Sequence, residues 1–213
     1  MTPTLIDHIT VTAPTLEAGS ALVHTCLGMT PQTGGEHPRM GTHNRLLRLG
    51  PALFLEVIAP NPAAPEPNRP RWFSLDRLQP ESPPVLSTWV VRTIDISASV
   101  AAASEDLGLI EPVSRGSLNW HITIPQDGSI PMDGAAPALI EWHTESHPAA
   151  GLPDVGLWLE QLTLFHPEPD RIRRLLASLK LSAPVNVQRP TSGTRTRLAA
   201  VIRTPQGFKV LGE

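Results

Sequence analysis

At 213 residues, with 40% hydrophobic and 17% charged side chains, the chain is long enough for one large domain or two small ones and is not disordered by composition. A net charge of −3 gives no basic field for nucleic acid or an anionic membrane, and no apolar run approaches the roughly 18 residues of a bilayer span. The single cysteine, Cys26, excludes an internal disulfide, and the lack of tyrosine excludes a Tyr acid, base or nucleophile. With no signal peptide ahead of the first strand-like segment, a cytoplasmic protein is expected.

Leu5 to Thr12 reads as a strand. Alternation puts Leu5, Asp7, Ile9 and Val11 on one face and Ile6, His8, Thr10 and Thr12 on the other. Pro14-Thr15 opens a helix whose stripe is Leu16, Leu22, Val23, Cys26 and Leu27, and Gly28 stops it. Cys26 is assigned to core packing. Gln32 to Pro38 reads as a loop and His43 to Leu49 as a strand. Ala52 to Pro60 is an apolar strand between turn signals, with Glu56 at its centre. A carboxylate there is costly unless something compensates it. Residues 61 to 85 read as an extended, proline-rich linker, within which Arg71-Trp72-Phe73-Ser74-Leu75-Asp76 pins the linker to the core or forms a lid.

The pattern then repeats. Leu86 to Thr93 is a strand, and Asp95 caps a helix carrying Ile96, Val100, Ala103 and Leu107 and ending at Gly108. Leu107-Gly108-Leu109 matches Leu27-Gly28-Met29 at an offset of 80 residues. Asn119 to Ile124 is a strand with Asn119, His121 and Thr123 on one face, Gln126-Asp127-Gly128 is a turn, and Pro137 to His143 is an apolar strand with Glu141 at its centre. A third, partial copy follows: a strand at Leu159 to Phe165, a helix from near Pro167 to Asp170 with Ile172, Leu175, Leu176 and Leu179 as its stripe, and short strands at Val185 to Val187, Leu198 to Ile202 and Phe208 to Leu211. Repeats of this length constrain the fold to an α+β chain. Paired βαβββ modules, 5–60 and 86–144, form a cup-shaped mixed β-sheet over residues 5–144, and a third βαβββ module spans 157–213 on the same domain.

His8 and Glu56 fall on the first and last strands of the first module, with their polar faces toward the concave side. Glu141 takes the Glu56 position in the second module, and the offset of 80 puts Thr88 where a second histidine would stand. Imidazole and two carboxylates suit a divalent cation of intermediate hardness: Zn, Ni, Co, Fe(II) or Mn. A hydrogen-bonded pair without metal is the alternative for His8 and Glu56. His143, His147 and the Arg171, Arg173 and Arg174 cluster read as surface residues.

Asp7-His8-Ile9, Gly34-Gly35-Glu36-His37, Gly41-Thr42-His43-Asn44, Phe54 to Pro60 and Arg71 to Asp76 together resemble the vicinal-oxygen-chelate superfamily, in particular its glyoxalase-like members, across residues 5 to 144. The resemblance implies metal ligands His8, Glu56 and Glu141, with Thr88 departing from the usual His or Glu, and with Glu56 or Glu141 doubling as catalytic base. His37, His43, Asn44, Phe54, Trp72, Arg92 and His121 are the candidate substrate contacts. Two functions are expected: a metalloenzyme of lyase, isomerase or dioxygenase type acting on a small oxygenated substrate, or a metal-free protein that binds or sequesters a small molecule in the same cup. A structural or interaction protein whose third module mediates assembly is the third alternative. The partner is a small molecule, not nucleic acid or membrane, and the third module is a candidate homodimer surface.

Overall fold

The computed structural model describes residues 2–191 and 195–212. The first module runs β1 (Leu5–Thr12), α1 (Leu16–Leu27), β2 (Gln32–His37), β3 (Thr42–Arg48) and β4 (Phe54–Pro60). The second runs β5 (Val85–Arg92), α2 (Ile96–Ala102), β6 (Leu109–Arg115), β7 (Leu118–Ile124) and β8 (Ala138–Trp142). Their strands form one curled sheet in the order β2-β3-β4-β1-β5-β8-β7-β6. β1 pairs antiparallel with β5 at the centre, and each is flanked by the parallel last strand of its own module. The pairs His8↔Val90 and Thr10↔Thr88 are exchanged by the pseudo-twofold axis that the 80-residue offset implies. Thr88 therefore does stand at the His8 position of module two.

Local chemistry sets the helix ends. The Thr15 side chain accepts from Ala18 N at the start of α1, and Gly28 ends it in the left-handed region, at φ 73. Asp95 accepts from Ala98 N at the start of α2. That helix stops at Ala102 and does not reach Gly108. The chain instead runs extended from Ala103, and Leu107 is still buried. Gly108, at φ 93, presses so close to the Ile124–Pro125 backbone that an added Cβ would lie 2.4 Å from it.

The two faces of the curled sheet have different partners. On the convex face Ile9, Val11, Leu55, Val57, Trp89, Val91 and Leu139 join α1 in the main core. The third module closes that core with β9 (Trp158–Phe165), α3 (Pro169–Ser178), β10 (Val185–Gln188), β11 (Arg197–Thr204) and β12 (Gly207–Leu211), whose sheet has the order β10-β9-β11-β12. On the concave face Ile58, Val90, Trp120, Ile122, Ala138 and Ile140 meet Trp72, Phe73 and Leu75. The expected extended linker thus folds back over the cup and becomes a wall of it. The burial of two aromatic rings outweighs the extended bias of the prolines around them. Trp72 Nε1 donates to Thr42 Oγ1 at 3.2 Å, and Phe73 and Ser74 both take φ 55 to make the turn.

The expected loop at Gln32 to Pro38 is strand β2, with its register broken between Thr33 and Glu36. β2 and β6 are the two edges of the sheet, and side chains close the gap between them. Arg39 donates to Glu111 Oε2 at 2.5 Å and to Pro112 O at 2.8 Å, and Arg69 donates to the same Glu111 carboxylate. At the end of β2, His37 is buried with its ring edge-on to Trp72 and Trp120. Burial, helped by the Arg115 charge, lowers its pKa to about 3.

Two outcomes follow from this packing. Replacing Glu111→Gln leaves two guanidinium groups without their shared counter-charge and is expected to cost about 1–3 kcal/mol of stability in a denaturant titration. His37 takes up a proton near pH 6.5 when unfolded but only near 3 when folded. Its contribution is present above pH 6.5 and is lost as the pH falls toward 3. His37→Gln should therefore flatten the fall of melting temperature between pH 6.5 and 3, compared with the wild type.

Candidate functional site

β1 carries a bulge between Ile6 and His8. Ile6 stays in the convex core with Ile9, whereas Asp7 and His8 both serve the concave side. This corrects the strict alternation read from sequence, which put Asp7 with Ile9 and Ile6 with His8. Asp7 is fully buried and accepts three hydrogen bonds: from His8 Nδ1 at 2.6 Å, Trp142 Nε1 at 2.9 Å and His147 Nε2 at 2.9 Å. Burial alone would push its pKa up; the hydrogen bonds from His147 and His8 outweigh burial and hold the carboxyl well below its ordinary range. The other His147 nitrogen accepts from Ala149 N at 3.2 Å, which fixes the neutral tautomer with its proton on Nε2. His147 was read as a surface residue and is instead part of this buried network.

With its Nδ1 committed to Asp7, His8 turns Nε2 into the cup, 3.6 Å from Glu56 Oε2. Its ring lies parallel to that of Phe54, with centroids 4.5 Å apart. Glu56 is 5% exposed. It accepts from Asn44 Nδ2 at 2.6 Å, and Thr10 Oγ1 lies at a longer 3.4 Å. The Asn44 amide oxygen accepts from Gly35 N at 2.8 Å and from Arg115 Nη1 at 3.1 Å. His8, His37, Asn44, Phe54, Glu56, Trp72 and Arg115 form one part of the lining of a concave cavity. Its opposite wall is apolar: Trp120, Ile122, Ile140 and Trp142.

The remaining expected site residues lie elsewhere. Glu141 falls between Ile140 and Trp142, which line the cavity, so its own side chain points to the other face. There Glu141 Oε2 accepts from Ile96 N at 2.7 Å, at the N-terminus of α2. The strand register explains the misplacement. Thr10 pairs with Glu56, and its counterpart Val90 pairs with Ala138. Ala138 is thus the equivalent of Glu56, and Glu141, an odd number of residues further on, faces away. His121 pairs with Glu141 and leaves the cup with it, its ring 4.6 Å from that of His143. His43, next to Asn44, faces away from the cavity by the same alternation. Arg92 lies outside the cavity and donates to Ala52 O at 2.6 Å.

These placements bear on a metal. A zinc site with an open position ordinarily takes three protein ligands. His8 and Glu56 supply two, and among the described residues no group of three His, Cys, Asp or Glu side chains is arranged to hold an ion. Module two offers Thr88, Val90, Ala138 and Ile140 where further ligands would stand. The Thr88 hydroxyl is buried and has no hydrogen-bond partner. The side chains present do not fit the three-ligand site expected from sequence.

Asp7, Trp120, Trp142, His147 and Arg115 complete the site and were not among the expected residues. For Arg115 there was a usable signal. Gly116-Ser117, with Gly116 at φ 57, is a two-residue hairpin loop between β6 and β7. Reading that hairpin from sequence places Arg115 on an edge strand of module two.

Among solved structures, the chain is similar to methylmalonyl-CoA epimerase in complex with methylmalonyl-CoA and NH4+ (18% identity, 69% of this chain and 100% of that one, TM-score 0.44). It is also similar to a Streptomyces coelicolor methylmalonyl-CoA epimerase variant bound to 2-nitronate-propionyl-CoA (17% identity, 65% and 97%, TM-score 0.42). A mutant 4-hydroxymandelate synthase from Streptomyces coelicolor matches over 100% of this chain and 64% of its own, at 14% identity and a TM-score of 0.51. At such identities the likeness concerns the fold. No curated protein matches the chain in sequence. The profile of the family described as "Glyoxalase-like domain" matches residues 6–180, and this chain belongs to that family.

Proposed function

We propose that the cup binds a small, flat organic molecule without a resident metal ion, and that binding or sequestration is the function of this glyoxalase-like domain. The observation that carries the reading is the asymmetry of the concave face. Module one contributes His8, Asn44 and Glu56, whereas module two contributes Val90, Trp120, Ile122, Ala138 and Ile140 in place of matching ligands, and the cation Arg115, which cannot ligate a metal ion. A concave, mostly apolar site with a few converging polar groups has the chemistry of a small-molecule pocket. Aromatic walls favour a planar body, and the polar corner orients it.

A second reading has one observation in its favour. His8 Nε2 and Glu56 Oε2 converge from the first and last strands of module one. This supports the metal-dependent lyase, isomerase or dioxygenase expected from sequence, with substrate or water completing an ion's coordination.

Elemental analysis of protein purified without a histidine tag separates the two. The binding reading predicts transition metal far below one equivalent, both in the wild type and in His8→Ala, before and after metal supplementation. Near-stoichiometric metal that is lost in His8→Ala would replace it with the metalloenzyme reading. The binding reading also predicts that a chelator leaves ligand affinity unchanged, and that Trp120→Ala weakens affinity by about tenfold or more through loss of stacking area.

A further inference from the structure

Arg115 ends β6 and reaches across the seam between the two sheet edges into the cavity. The backbone of β2 is shaped to let it pass. A Cβ on Gly35 would lie 2.6 Å from Arg115 Cδ, and one on Gly34 would lie 2.1 Å from Asn44 Oδ1. The Gly34–Gly35 pair, with its broken register, thus makes room for the arginine and for the amide beneath it.

The charge of Arg115 is not neutralised by any ion pair among the described residues. Arg39, Arg45, Arg69, Arg71, Arg171, Arg173 and Arg203 each meet a carboxylate. The hydrogen-bond partner of Arg115 is the neutral amide oxygen of Asn44. That amide faces Glu56 with its nitrogen and Arg115 with its oxygen, so it stands between the cation and the carboxylate. Burial disfavours the charged guanidinium, and Glu56 offsets this from a distance. A cation held in this setting beside an apolar cavity is costly unless an anion arrives to meet it. The fork of a guanidinium matches a carboxylate, which can take two parallel hydrogen bonds. Around it stand Trp72 and Phe73, near-parallel at 5.5 Å, and Trp120 and Trp142 at 5.2 Å.

We propose that Arg115 is the anion-recognition residue of the cup and that the ligand class is a flat aromatic or heteroaromatic carboxylate. This rests on the reading of the cup as a ligand site and names what it selects. The carboxylate meets the guanidinium edge not used by Asn44, and the ring lies among the indoles with its far side toward His8 and Glu56.

The test is isothermal titration calorimetry on the full chain in the presence of a chelator, with benzoate, cinnamate and 2-naphthoate each compared with its primary amide. The expected result is a preference of about tenfold or more for the carboxylates. Arg115→Gln should abolish that preference, bringing each acid to the affinity of its amide. Gly35→Ala displaces the arginine without removing its charge and should reduce the preference in the same direction. Melting curves of both variants confirm that they are folded. If wild type binds acid and amide equally, or if Arg115→Gln keeps the preference, the assignment of Arg115 is overturned while the cup reading stands. If no acid or amide binds, both are overturned.

Discussion

The Asp7 carboxylate is the constraint on which the site depends. Fully removed from water, it is tolerable only if donors meet both of its oxygens. The three that do so come from β1 itself, from the end of β8 and from the turn after β8. Module one and module two are thereby tied together at a single charge. The same bonds orient His8, because a ring whose Nδ1 is held by a carboxylate must present Nε2 elsewhere. Here that direction is the cup. The bulge at Asp7 is what brings two successive side chains to serve one side of the strand.

From this point the cup divides by chemistry. Glu56 is positioned by Asn44, Asn44 by Gly35 and Arg115, and Arg115 by the glycine pair beneath it. Each polar group on this side is held by the next. On the other side are indoles and aliphatic side chains that offer shape and area. A duplicated fold supplies two equivalent sets of strand positions, and the histidine and glutamate stand in only one of them: Thr88 and Ala138 take the His8 and Glu56 positions of the second. The second set makes a wall of indoles and aliphatic side chains, with Arg115 of β6 as the charged group that module two brings to the lining.

The elements with local signatures were legible in the sequence. β1, β4, α1 with its caps, the Asp95 cap that starts α2, and the strands and helix of the third module lie close to where alternation, periodicity and turn residues put them, whereas the end of α2 does not. The pseudo-twofold offset correctly matched Thr88 with His8. What escaped was set by tertiary geometry. A bulge shifts every later side chain by one position, and period-2 reasoning has no means of seeing it, so Asp7 was placed on the wrong face. Glu141 looked equivalent to Glu56 because both sit in apolar strands; only the inter-strand register shows that the equivalent residue is Ala138. β2 was hidden by its two glycines, and β6 by Glu111, Pro112 and Ser114, which dilute its apolar pattern. With β6 unseen, Arg115 had no element to sit on. In the proline-rich stretch the pin at Trp72 and Phe73 was legible from their aromatic character and both rings are buried, but composition could not tell that they would make a wall of the cup.

The seam between β2 and β6 has a consequence for association. A sheet that curls until its edges face each other, with guanidinium groups locked across the gap, offers little free backbone for a strand from another molecule. The third module is built differently: β10 and β12 end its sheet. β12 displays Phe208 and Val210 outward with Lys209 between them. The open strand edges are thereby those of the small sheet, and on β12 an ammonium group flanked by apolar neighbours guards one of them.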